Sequence, residues 1–148
     1  MTVKINFKII SFFILFVSIL NSNVTNLDED NFYKIIGSSK ESWLIEIFSE
    51  RCESCRSFEP KWTQLVKKID YLNIGRINID EPKGMNLANK LNALENGIPA
   101  VKLIISKDDI HNIMTGTEEP FPNWKNLKKR IDKILKEKGV LKDNDGEL

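Results

Sequence analysis

The chain has 148 residues, 41% of them hydrophobic and 29% charged, with a formal net charge of +1. Length and composition fit one ordinary globular domain and exclude a disordered or membrane-embedded chain. The near-neutral balance gives no electrostatic reason to bind nucleic acid.

Lys4 and Lys8 precede an apolar run, Ile9 to Leu20 (IISFFILFVSIL), and a polar Asn-Ser-Asn follows. A charged start and an apolar core shorter than the roughly 20 residues of a spanning helix make residues 1–22 a secretory signal peptide, cut after Ser22. Its removal takes away two lysines and leaves a charge of −1, with no membrane contact expected afterwards. The cysteines then meet an oxidising compartment, the endoplasmic reticulum lumen or the exterior. Asn23-Val24-Thr25 is a glycosylation sequon beside the expected cut. Only Glu147 and Leu148 agree with a Lys-Asp-Glu-Leu retention address, so retention is left open.

Residues 23–138 read as the folded domain. Positions 23–26 leave room for a very short strand. Residues 28–37 (DEDNFYKIIG) form a helix with acids in the first turn and glycine at its end. Residues 43–48 (WLIEIF) form a strand suited to burial on both faces. Phe58, Trp62, Leu65, Val66 and Ile69 mark a helix over 52–69, kinked at Pro60. A strand at 74–79, a helix at 83–94, a strand at 98–106 and a second at 111–115 follow, the last two as a hairpin. A final helix over 123–138 carries Leu127, Ile131, Ile134 and Leu135 on one face, ringed by lysines, which reads as a solvated helix covering a core. The tail 139–148 is too polar to pack and is expected to be mobile. This alternation predicts an α/β fold, a central sheet with helices on both faces. Trp43 and Trp124 read as packing residues, and His111 as a surface residue of the hairpin.

Both cysteines of the chain, Cys52 and Cys55, lie two residues apart between a strand and a helix. They could form a staple, a zinc half-site or a redox pair. A disulfide closing a 100-residue loop stabilises by about 4.7 kcal/mol, but one closing four residues by only about 2 kcal/mol. Zinc takes four ligands, and the single His111 is the only other soft candidate. For a redox pair the position is apt, because a helix N-terminus favours an anion and so a thiolate at Cys52. That thiolate would form a mixed disulfide with a partner, which Cys55, one turn further in, would resolve.

The segment around these cysteines resembles the thioredoxin fold, in particular the domains of the protein disulfide isomerase family, from about Leu27 to Leu135. "LDEDNFYKII" is similar to the family's first helix, "WLIEIF" to its central strand and "INID" at 77–80 to its third strand. Pro60 and Trp62 match the kinking proline and the P-x-W of isomerase domains, "GIPAVKLI" the loop with a cis-proline, and Gly116 the glycine after the last strand. The resemblance implies a mixed sheet flanked by helices on both faces, and a disulfide Cys52–Cys55. It also implies that Glu46 is the buried acid that relays the proton of Cys55, and that Ile98 with cis Pro99 holds an extended substrate. No organic cofactor or metal is required.

The departures bear on redox character. Arg51 stands where the family usually has tryptophan, and Glu53-Ser54 replaces Gly-His or Gly-Pro. Glu53 opposes a second negative charge, while Arg51 and Arg56 favour one, so these three are the expected tuning residues. The expectation is a weak oxidant, nearer a reductase or isomerase, acting on protein thiols and disulfides in the secretory pathway. The alternative is a non-catalytic binding module or subunit of a larger assembly, contacting partners through apolar surface at Trp62, Ile98 and Pro99.

Overall fold

The computed structural model describes residues 24–142. The expected leader at 1–22 and the sequon residue Asn23 lie outside the described residues, as do residues 143–148. The order is β1 (Val24–Asn26), α1 (Phe32–Ser38), β2 (Trp43–Phe48), α2 (Glu53–Val66), β3 (Asn73–Asn78), α3 (Pro82–Lys90), β4 (Ala100–Ser106), β5 (Asp109–Met114) and α4 (Trp124–Glu137).

The five strands form one sheet in the order β1-β3-β2-β4-β5. β1, β3 and β2 run parallel, and β4 and β5 add antiparallel to them. β2 is therefore central, and Trp43 to Ile47 are all buried, as the unbroken apolar run requires. Its alternating side chains feed two cores. Leu44 faces α2 and α4, among Phe58, Trp62, Leu65, Leu127, Ile131 and Leu135. Ile45 and Ile47 face α1 and α3, among Phe32, Ile36, Leu87 and Ala88. The mixed sheet with helices on both faces is the architecture that the sequence led us to expect.

Several boundaries move for local reasons. α1 starts later than the acids suggest, because Asp28 Oδ1 accepts from the amides of Asp30 and Asn31 and folds that segment into a turn. α3 stops at Lys90 rather than Leu94, because Asn92 turns to φ 49° and the Ala93 amide reaches back to the Ala88 carbonyl at 2.9 Å. β4 begins at Ala100, since Ile98 and Pro99 belong to the preceding loop. β5 begins two residues early, so that Ser106 faces Asp109 across a two-residue turn.

At the far end, Gly139 at φ 70° closes α4, and the Val140 amide bonds the Leu135 carbonyl at 2.8 Å. Leu141 packs on the core, so the stretch expected to be mobile from 139 opens with an ordered cap.

α3 approaches β3 at one glycine. A Cβ on Gly84 would stand 2.0 Å from the carbonyl oxygen of Asn78. Alanine favours a helix over glycine by about 1 kcal/mol, yet here it would force backbone apart. Gly84→Ala should therefore destabilise the protein by roughly 1–3 kcal/mol in urea denaturation. A raised midpoint would contradict the close approach.

Candidate active site

β2 delivers the chain to the middle of one sheet edge, and Ser49 to Arg51 carry it into α2. Asp80, just past β3, organises that connection. Its Oδ1 accepts from the Ser49 hydroxyl at 2.9 Å and its Oδ2 from the Glu50 amide at 2.8 Å, while the Arg51 amide bonds Ser49 Oγ at 3.1 Å. The loop so held places Cys52 at the N-cap of α2.

Cys52 is extended (φ −82°, ψ 120°) and half-buried, and its Sγ accepts from the Cys55 amide at 3.2 Å. That amide is one of the first-turn donors a helix leaves unpaired, and a sulfur satisfies it. Cys55 sits directly behind, 3% exposed. Both are free thiols, the reduced form of the pair. Burial, and then the bond with Cys52, push the Cys55 thiol up to about 12, so it holds its proton at neutral pH.

The groups expected around the pair fall into three sets. Glu46, on β2, has no exposed surface. Burial raises its carboxyl to about 7 against the pull of Arg76, which makes it able to take or give a proton near neutrality. Its negative charge also reaches Cys55 and adds to the rise there. Ile98 and Pro99 arrive from the other side: their peptide bond is cis, and the Ile98 carbonyl oxygen lies 3.9 Å from Cys52 Sγ. Gly116 explains how that loop is seated. A Cβ there would stand 2.5 Å from both Gly97 C and Ile98 N, so only glycine lets the segment after β5 press on this backbone.

The expected tuning residues form the third set, and they turn outward. Arg51 is 84% exposed, with Nε 3.6 Å from Asp80 Oδ1. Arg56 donates to the Glu50 carbonyl at 3.0 Å, and Glu53 is an exposed first-turn acid of α2. Among the described residues, none of the three has a hydrogen bond or ion pair to either sulfur.

Two further points correct or extend the sequence reading. Trp62 is 2% exposed and belongs to the core beneath α2, and Pro99 is buried too, so the expected apolar contact surface reduces to Ile98. Phe58 and Trp62, four residues apart on α2, share one face and turn both rings inward. Arg76 is the residue that sequence reasoning missed. Its Nε lies 2.7 Å from Glu46 Oε2, its Nη2 2.6 Å from Glu59 Oε2, and its guanidinium carbon 3.9 Å from the Phe48 ring centre. The available signal was the lone cation in "IGRINI", beside a strand with a lone acid in "WLIEIF".

The sequence model of the thioredoxin family matches residues 23–133. The chain belongs to the thioredoxin family. Its relatives include protein disulfide isomerase-like 2-3 of Oryza sativa subsp. japonica, 27% identical over 97 residues, which make up 65% of this chain and 19% of that protein. The protein disulfide-isomerase A6 homolog of Drosophila melanogaster is 36% identical over 47 residues, 32% of this chain and 11% of that one. The chain thus spans a fifth or less of these relatives' length. Among solved structures, the J-Trx1 fragment of ERdj5 superposes with a TM-score of 0.59 at 18% identity, covering 76% of this chain and 52% of that one. At that identity the likeness establishes the thioredoxin fold and nothing finer.

The buried acid of this thioredoxin-family chain makes stability depend on pH. A carboxyl raised from 4.5 to about 7 holds its proton in the folded state where the unfolded chain has lost it. The associated stability is full below the unfolded value and is lost as pH rises through about 7, by about 3 kcal/mol at most. Glu46→Gln should remove that slope, so that in urea denaturation the variant gains on the wild type between pH 5 and pH 8. An equal difference at both pH values would contradict the burial cost.

Proposed function

We propose that this chain is a thiol-disulfide oxidoreductase of the reductase or isomerase type, acting on protein disulfides in the secretory pathway. The observation that carries the reading is the stacking of the two sulfurs. A half-buried Cys52 caps α2, with a fully protonated Cys55 enclosed behind it and a buried acid of intermediate proton affinity beneath.

The exchange runs in two displacements. The Cys52 thiolate attacks one sulfur of a client disulfide; a Cys52–client bond forms and the other client sulfur leaves as a thiolate. Cys55 then gives its proton to the Glu46 carboxylate, and its thiolate attacks the Cys52 sulfur. The mixed disulfide breaks and the second client sulfur departs. Two electrons have passed to the client, Cys52–Cys55 is a disulfide, and Glu46 returns its proton to solvent. The Ile98 backbone beside Cys52 lets an extended client segment lie along the loop as an added strand.

The Glu53-Ser54 interior lacks the histidine that would stabilise the Cys52 thiolate, which supports the reductase or isomerase end of the range. The leader read at 1–22 and the isomerase relatives support the compartment, the endoplasmic reticulum lumen or beyond. The burial of Trp62 and Pro99 takes away two of the three residues that a purely binding role was expected to use.

Cys55→Ser should accumulate client proteins joined to Cys52, visible as reducible adducts on non-reducing gels. The Cys52→Ser, Cys55→Ser pair should give none. Equal capture by both would sink the exchange chemistry. Equilibrated with glutathione, the wild-type pair should prove more reducing than isomerase domains, whose potential is about −180 mV. A value that oxidising would remove the reductase or isomerase assignment while leaving exchange itself intact.

A further inference from the structure

Glu59 precedes the Pro60 kink of α2, and its side chain is 45% exposed. Its Oε2 accepts from Arg76 Nη2 at 2.6 Å, while Arg76 Nε stands 2.7 Å from Glu46 Oε2. One guanidinium therefore serves two carboxylates, the first closed off from water and the second at the surface. The division is unequal in quality. The bond to Glu59 is a well-formed hydrogen bond, whereas the Nε–H touches Glu46 at 2.7 Å but points out of line with it. The Phe48 ring, 3.9 Å away, supports the guanidinium on one face in this shared position.

We propose that Glu59 is a positioning residue that holds the Arg76 guanidinium in contact with Glu46 but out of line with it, and so sets, from the surface of the protein, how tightly that buried carboxylate keeps a proton.

The surroundings of Glu46 leave this pair of opposed influences uncontested. The charged and titratable groups that face it are Arg76 from β3 and, from α2, Glu59 and Cys55. β4 sets Val101 opposite it, and α4 brings Leu127, Ile131 and Leu135 to the same layer, all apolar. Arg76 stabilises the anionic form of Glu46, and the charge of Glu59 disfavours it. Neutralising Glu59 acts twice in one direction: it removes a like charge and frees the guanidinium to align on Glu46. The part this gives Glu59 in turnover rests on the exchange reading above, because Glu46 must accept the proton that Cys55 gives up.

The test is the titration of the Glu46 carboxyl carbon by NMR in the full chain, which needs no client and no turnover. Glu59→Gln should move its midpoint to lower pH by roughly half a unit or more. Glu59→Asp keeps the charge but is too short to hold the guanidinium in place, and it should also lower the midpoint, by less. The Arg76 Nε–H resonance should shift in both variants. If the Glu46 midpoint stays where it is in a folded Glu59→Gln protein, or moves up, the proposal is overturned. If Glu59→Asp behaves as the wild type, the charge acts through space alone and the holding role is overturned. Resolution of a Cys52 mixed disulfide should follow the same displacement of its pH midpoint. Were the titration to shift while the wild-type cysteines exchanged with nothing, the assignment of Glu59 would stand and the oxidoreductase reading would fall.

Discussion

Six residue pairs join β2 to β3 in parallel register, from Trp43 beside Asn73 to Phe48 beside Asn78. In a parallel ladder a shift by one residue would turn every side chain to the opposite face, and here the two cores fix which face each must take. Once set, the register determines the site. It lays Glu46 against Arg76 and so gives that buried carboxylate a counter-charge. It also ends both strands at one level, so that Asp80 after β3 reaches the loop after β2 and presents Cys52 at the start of α2. Breaking one partner of a buried ion pair costs far more than the pair itself contributes, so the pairing constrains sequence even if it adds little stability.

The proton affinities at the site come from enclosure more than from neighbouring charge. Cys55 retains its proton because water is excluded from it, and Glu46 retains one near neutrality for the same reason. Both shifts run upward, from 9.0 to about 12 for Cys55 and from 4.5 to about 7 for Glu46, so enclosure raises the two groups together and several orders of magnitude in acidity still separate them. The cations of the surface loop, Arg51 and Arg56, are occupied by Asp80 and by the Glu50 carbonyl. Their influence on the sulfurs is correspondingly indirect.

Much of this was legible from residues alone. Element types followed from periodicity, and β2 was recognisable because WLIEIF is a mostly apolar run of strand length, suited to burial on both faces. Cys52 at a helix start and Glu46 under it followed from spacing and family pattern, and Ile98 with Pro99 lies where the pattern implied. What escaped were features that depend on pairing between distant segments. Arg76 carries no motif; its meaning appears only when β3 lies beside β2. Trp62 fell on the apolar stripe of its helix, in keeping with its burial; only the alternative of a binding module set it at the surface. Helix ends shifted where side chains, such as Asp28, or a single left-handed residue, Asn92, took over the backbone bonds.

The seat of Gly116 against Gly97 and Ile98 has a wider implication. Two stretches of main chain touch there with no side chain between them, so the seat of the Ile98 backbone beside Cys52 is a property of the polypeptide itself. Changing the flanking side chains leaves that seat as it is, because none of them stands between the two backbones; only a residue larger than glycine at position 116 would push them apart.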